Sequence, residues 1–148
     1  MLFRSDLKLV AQKRLRDAHV LLQKKRYSGA VYLGGYTVEL LLKRRICFNW
    51  GFHKGFPETE GEFSNYKQLG KTIGPYHRSI VKLQHIKCHD LNRLLLYSGR
   101  EMIVKDFFAV EWSYVERWGP DWRYSSKVIR KEAAHTFITS CQIIVQNL

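Results

Sequence analysis

Glu39 stands inside the most apolar stretch of the sequence, AVYLGGYTVELLLK (residues 30–43), with Lys43 four residues after it. On a helix that spacing sets the two side chains beside each other, in the order that favours an ion pair. A carboxylate in apolar surroundings costs several kcal/mol unless it is paired or hydrogen-bonded. Two uses of the pair follow. It can hold the interior together and orient Arg123 or Tyr124, or it can present a carboxylate to a ligand groove beside those residues. A second constellation is Trp118, Trp122 and Tyr124 around Arg123. Aromatic faces next to a guanidinium stack a base and hold its phosphate, the usual grip on single-stranded RNA. The same side chains can equally form a packed corner that closes a helical bundle.

Other chemistry is weakly represented. Cys47, His53, His85, Cys88 and His89 include one His-x-x-Cys spacing, without the paired Cys-x-x-Cys or His-Glu-x-x-His element of a zinc site. No metal site and no cofactor is expected. There is no glycine-rich phosphate loop and no serine nucleophile elbow. Three cysteines at unrelated spacings argue against a disulfide framework and for a reducing compartment, so a cytoplasmic location is expected. No apolar run approaches the roughly 20 residues needed to span a bilayer.

Charge is the strongest compositional signal. Lys and Arg total 25 against 13 Asp and Glu, a formal net charge of +12. Such an excess attracts polyanions by counterion release and speeds their encounter. It also serves solubility alone, which is the plainer reading.

The elements that must position these residues read as helices. Leu7, Ala11, Leu15, Ala18 and Leu22 recur at three- and four-residue steps, which predicts an amphipathic helix from the Ser5-Asp6 cap to about Arg26. A second helix, from about Gly29 to Cys47, is apolar round most of its circumference and so belongs at the centre. Its Gly34 and Gly35 suggest close approach of a neighbouring backbone, and the short connection before it predicts a hairpin with the first helix. Residues 50–84, rich in glycine and aromatic residues, read as an irregular insertion with a short helix near Ser64–Leu69. Beyond it come a short helix from Leu91 to Tyr97, capped by His89-Asp90 and stopped by Gly99, and a fourth from about Glu101 to Trp118. The last helix opens at Ser125-Ser126, with an apolar stripe of Ala134, Phe137 or Ile138, Cys141 and Ile144. The expected fold is all-α: one domain over residues 1–148, a four- to five-helix up-and-down bundle with the 50–84 insertion between its second and third helices.

Three stretches in order resemble the HEPN domain, a helical-bundle family found with prokaryotic nucleotidyltransferases and in RNA-cutting toxins and defence proteins. They are residues 30–43 with Glu39 and Lys43, then His89-Asp90-Leu91, then Trp118 to Ser125 with Arg123 and Tyr124. The resemblance implies a bundle that dimerises, with a polar groove near the dimer interface. It implies partners of the nucleotidyltransferase or defence class, and RNA or a nucleotide as ligand.

The family's nuclease signature is an Arg, four to six intervening residues and then a His, near the start of the last helix. There the Arg steadies a phosphate and the His moves the ribose 2′-hydroxyl proton. Arg123 has no His at that distance. Arg130 and His135 have the spacing, but five residues on a regular helix turn the side chains about 140° apart. Arg14 and His19 share both the spacing and the objection.

The leading expectation is therefore RNA or nucleotide binding through Arg123, Tyr124, Trp122, Glu39 and Lys43, with Arg130 at the groove. One rival is a metal-independent ribonuclease using Arg130 and His135. Another is a protein–protein module whose aromatic 50–84 segment docks a partner and whose deletion spares the bundle.

Overall fold

In a computed structural model, residues 1–68 and 81–148 are described. Among them are eight α-helices: α1 (Arg4–Gln23), α2 (Tyr27–Asn49), α3 (Glu60–Gln68), α4 (Leu83–Ile86), α5 (Leu91–Ser98), α6 (Glu101–Phe107), α7 (Ala109–Val115) and α8 (Lys131–Asn147). A 3-10 turn covers Pro120–Tyr124, and Leu2–Phe3 (β1) pairs antiparallel with Gly55–Phe56 (β2). The chain is all-α, with more helices than the four or five expected.

The centre is α2, which packs against α1, α5 and α8. Its apolar circumference explains this: Ala30, Val31, Leu40, Leu42, Ile46 and Cys47 are all but fully buried, on several sides of the helix. The α1–α2 hairpin forms through Lys24, Lys25 and Arg26, with Lys25 left-handed at φ 59°. Glycines 34 and 35 do admit close neighbours, but these are side chains, where a backbone was expected. A Cβ on Gly34 would sit 2.6 Å from Ile138 Cδ1, and one on Gly35 would overlap the Trp118 ring.

The segment after α2 departs most from expectation. Trp50, Phe52, Phe56, Phe63 and Tyr66 are buried and belong to the main core. Phe52 meets Tyr66 at 4.7 Å and Phe63 at 6.1 Å between ring centroids. The Tyr66 hydroxyl accepts from Gly55 N at 3.1 Å and donates to Gly55 O at 3.0 Å, which fastens β2 to α3. What looked like a sticky insertion is thus, over residues 50–68, part of the interior. The helix foreseen near Ser64–Leu69 begins earlier, at Glu60, and Leu69 lies outside the described residues.

Two further boundaries move. The single fourth helix is two, broken at Phe108 (φ −132°, ψ 31°). The last helix starts at Lys131, because Ser125 to Arg130 run without helical structure after the 3-10 turn. The start of α5 is as foreseen: Asp90 accepts from Arg93 N at 3.0 Å, and Gly99 closes the helix at φ 72°. No helix among the described residues is long and apolar enough to cross a membrane.

Candidate functional site

Tyr32, Tyr36, Glu39 and Lys43 follow one another on α2 at steps of four, three and four, so they line one stripe of the central helix. Glu39 is 1% exposed, and burial of that kind requires partners. It has two. Lys43 Nζ lies 2.6 Å from Glu39 Oε1, and His89 Nδ1 lies 2.9 Å from Oε2 and 3.0 Å from Oε1. Lys43 is itself buried, with its ammonium 5.5 Å from the centre of the Phe56 ring.

The His89 side chain is 58% exposed. A carboxylate can only accept, so Nδ1 carries the proton, and the second ring nitrogen has no hydrogen-bond partner among the described residues. The backbone explains how this histidine is aimed. Asp90, next in sequence, caps α5, and the packing of α5 on α2 brings His89 over the Glu39 stripe. Tyr36 borders the same carboxylate. Burial, and then the negative charge of Glu39, raise its phenol above the ordinary tyrosine value, against a small opposing pull from Arg14.

At the other end of the stripe, Tyr32 stacks with Tyr36 at 6.4 Å between centroids and lies 6.0 Å from the buried Trp118. Arg123 holds its guanidinium 6.0 Å from the Tyr32 ring and 4.6 Å from the Tyr124 ring. Arg123 and Tyr124 thus cap the aromatic end, while Glu39, Lys43 and His89 form the charged end about 10 Å further along the helix. Neither Arg123 nor Tyr124 hydrogen-bonds to Glu39 or Lys43; the carboxylate orients His89. The indole N–H of Trp118 is buried without an acceptor among the described residues.

Trp122 and Arg130 belong elsewhere. Trp122 packs on Phe137 at 5.9 Å, and both line a pocket of about 540 Å³ with Tyr114, Val128 and Arg130. Arg130 is the residue just before α8, with an extended backbone (ψ 154°), so the 140° separation on a regular helix does not govern it. His135 is exposed on α8, does not line that pocket, and makes no hydrogen bond or ion pair among the described residues. The other Arg-x4-His pair is occupied: Arg14 meets Asp17 at 3.4 Å, and His19 meets Gln142 at 2.8 Å.

His89 is the residue that the site reading missed. In the sequence His89 stands only as part of a cap and of a weak metal spacing, and nothing local ties it to Glu39, fifty residues away. Among the described residues, no three His, Cys, Asp or Glu side chains gather as metal ligands. No protein-family model, curated protein or solved structure matches the chain.

Proposed function

We propose that this chain is a HEPN-like helical domain that binds RNA or a nucleotide along the exposed stripe of α2. The observation that carries the reading is the half-exposed His89 imidazole, fixed by a buried carboxylate that Lys43 also neutralises. A base stacks at Tyr32, Tyr124 and Arg123, and the phosphate or ribose meets His89. The resemblance in three stretches and the charge of +12 support the same ligand class.

Self-association fits this reading. Met102, Phe107, Val110 and Tyr114 are exposed on α6 and α7, and Tyr114 also lines the Arg130 pocket. We assign that face to a homodimer contact, with a nucleotidyltransferase or defence-system protein as the wider partner class. A partner-docking role for the 50–84 segment has less support. Its described aromatic residues lie in the core, and deleting residues 52–82 would remove Phe52, Phe56 and Phe63 from it.

The test is fluorescence anisotropy of a labelled single-stranded RNA at ~0.05 M salt, where phosphate contacts are strongest. His89→Ala and Arg123→Gln should each weaken binding about tenfold, the value of roughly one charge-assisted hydrogen bond, at a stability cost of at most about 1 kcal/mol. Failure of the unaltered protein to retain RNA or nucleotide overturns the reading.

A second reading, metal-independent RNA cleavage, is favoured by the carboxylate-held imidazole. A general base needs such fixed geometry to take the 2′-hydroxyl proton while the oxygen attacks the adjacent phosphorus and the 5′-oxygen leaves, taking a proton from water. Cleavage in EDTA that is lost in His89→Ala assigns it to the α2 stripe. Loss in His135→Ala assigns it to Arg130 and His135, and absence of cleavage removes it.

A further inference from the structure

The far end of α2 gathers cations that no carboxylate among the described residues pairs with. Arg4 and Arg44 place their guanidiniums 4.4 and 4.7 Å from the centre of the Phe48 ring, and Arg45 lies at 5.9 Å. Phe48 is 43% exposed, so three positive groups are arrayed around a ring that solvent reaches. A depression of about 350 Å³ beside them is lined by Arg4, Arg44 and Phe48 with Ser5, Lys8, His53 and Lys54, and by no acidic residue; Arg45 lies in the adjoining depression with Arg44 and Lys8.

None of the arginines in this group makes an ion pair among the described residues. Moreover, Nε of Arg44, Arg45 and the neighbouring Arg100 is buried with no acceptor. Burial, then the like charges of Arg100 and Arg44, lower the pKa of Arg45, so the cluster is electrostatically uncompensated. A guanidinium resting on an aromatic ring keeps its in-plane N–H donors free, the donors that match phosphate oxygens in pairs.

We infer that Arg4, Arg44 and Arg45, organised by Phe48, form a second seat that takes closely spaced phosphates, and that in this protein those phosphates are the backbone of a bound RNA. Arg44 follows Lys43 in sequence but points about 100° away round the helix, so this surface is separate from the Glu39–His89 stripe. The choice of RNA rests on the reading above; the phosphate chemistry does not. Stacked guanidiniums and flanking lysines grip the chain without reading its sequence.

The experiment measures labelled U12 RNA binding between 0.05 and 0.3 M NaCl, with inorganic triphosphate as the free source of the same chemistry. For single strands each phosphate contact contributes about 0.7 to the slope of log K against log salt. Arg44→Gln/Arg45→Gln should therefore lower the slope by about 1.4 and weaken binding about 25-fold at 0.1 M salt. Lys24→Gln/Lys25→Gln removes the same charge about 30 Å away along α1 and should change little. Phe48→Leu keeps every charge and should still weaken binding severalfold. Arg4→Gln, on a different helix, repeats the test should the paired arginine variant melt early.

An unchanged slope in Arg44→Gln/Arg45→Gln and in Arg4→Gln overturns the seat, even if Arg123→Gln weakens binding. The reverse pattern keeps the seat and removes the α2-stripe reading. Triphosphate bound through Arg44 and Arg45 with no RNA retained assigns the seat to a free oligophosphate. That result overturns the RNA half of the inference. Binding of neither ligand overturns the whole.

Discussion

Replacing Glu39 by Gln tests the centre of the site by its energetics. The substitution keeps size and shape but removes the charge that Lys43 faces at 2.6 Å. The Lys43 side chain is 9% exposed, so water cannot replace the lost partner without opening the bundle. Removing one member of a buried pair costs about 3–5 kcal/mol, chiefly because the other charge is left buried. The lower end applies here, since His89 admits solvent on one side. About 3 kcal/mol is a large share of the ~5–15 kcal/mol that holds a domain of this size, and it lowers Tm by roughly 6–12 °C. Urea unfolding followed by helical circular dichroism measures it, with Lys43→Met and the double variant completing a cycle. Glu39→Gln/Lys43→Met should regain most of the loss, because a neutral, well-packed pair replaces the ionic one. His89→Ala, at an exposed imidazole, should cost at most about 1 kcal/mol. A Glu39→Gln variant within ~1 kcal/mol of the unaltered protein, or costs that simply add in the double variant, would refute the buried-pair account.

Gly35→Ala should destabilise by about 1–3 kcal/mol, because its methyl overlaps the buried Trp118 ring. Gly34→Ala should stay within about 1 kcal/mol of neutral, since the Ile138 methyl can rotate aside and Ala favours the helix; chemical denaturation compares the two. Burial pushes the Cys47 thiol up to about 12 from an ordinary 9.0, with a weaker opposing pull from Arg4. The folded pKa is the higher one, so this stabilisation is complete below pH 9. It then declines by about 1.4 kcal/mol per unit as pH rises toward 12, and Cys47→Ala should flatten a stability–pH profile there. Phe107→Asp, at a side chain 76% exposed, should shift the sedimentation coefficient from dimer to monomer and leave the helical circular dichroism of the folded protein unchanged. A monomeric unaltered protein removes that assignment.

The periodic elements were legible because their signals are local. In the α1 stripe Leu7, Ala11, Ala18 and Leu22 are buried as their spacing predicts and Leu15 is half-buried, and Asp90 and Gly99 bound α5 through side-chain and backbone chemistry written in single residues. Residues 50–68 were not legible, because Trp50, Phe52, Phe56 and Phe63 follow no helical or strand period. Their burial is decided by long-range contacts, such as the β1–β2 pairing with the chain start. The break at Phe108 has no proline or glycine to announce it. For the site, Glu39 and Lys43 lie four apart and could be paired from sequence, whereas His89 is fifty residues away from Glu39. Only the packing of α5 on α2 closes that distance.

Lys43 and Glu39 are buried while the His89 ring is exposed, so the proposed ligand contact can be tested apart from the fold. Lys43 alone would neutralise Glu39, so a purely structural carboxylate has no need of His89, whose exposed ring adds little stability. A carboxylate kept in the core to fix an imidazole at the surface accounts for both contacts. Glu39→Leu/Lys43→Met discriminates between the two roles, because an apolar pair keeps the stripe packed and removes the oxygens that His89 donates to. If RNA binding falls in that variant as far as in His89→Ala while stability is regained, the carboxylate serves to orient the histidine. If binding survives intact, Glu39 and Lys43 are a packing device and the ligand must be held by Arg123 and the Phe48 arginines.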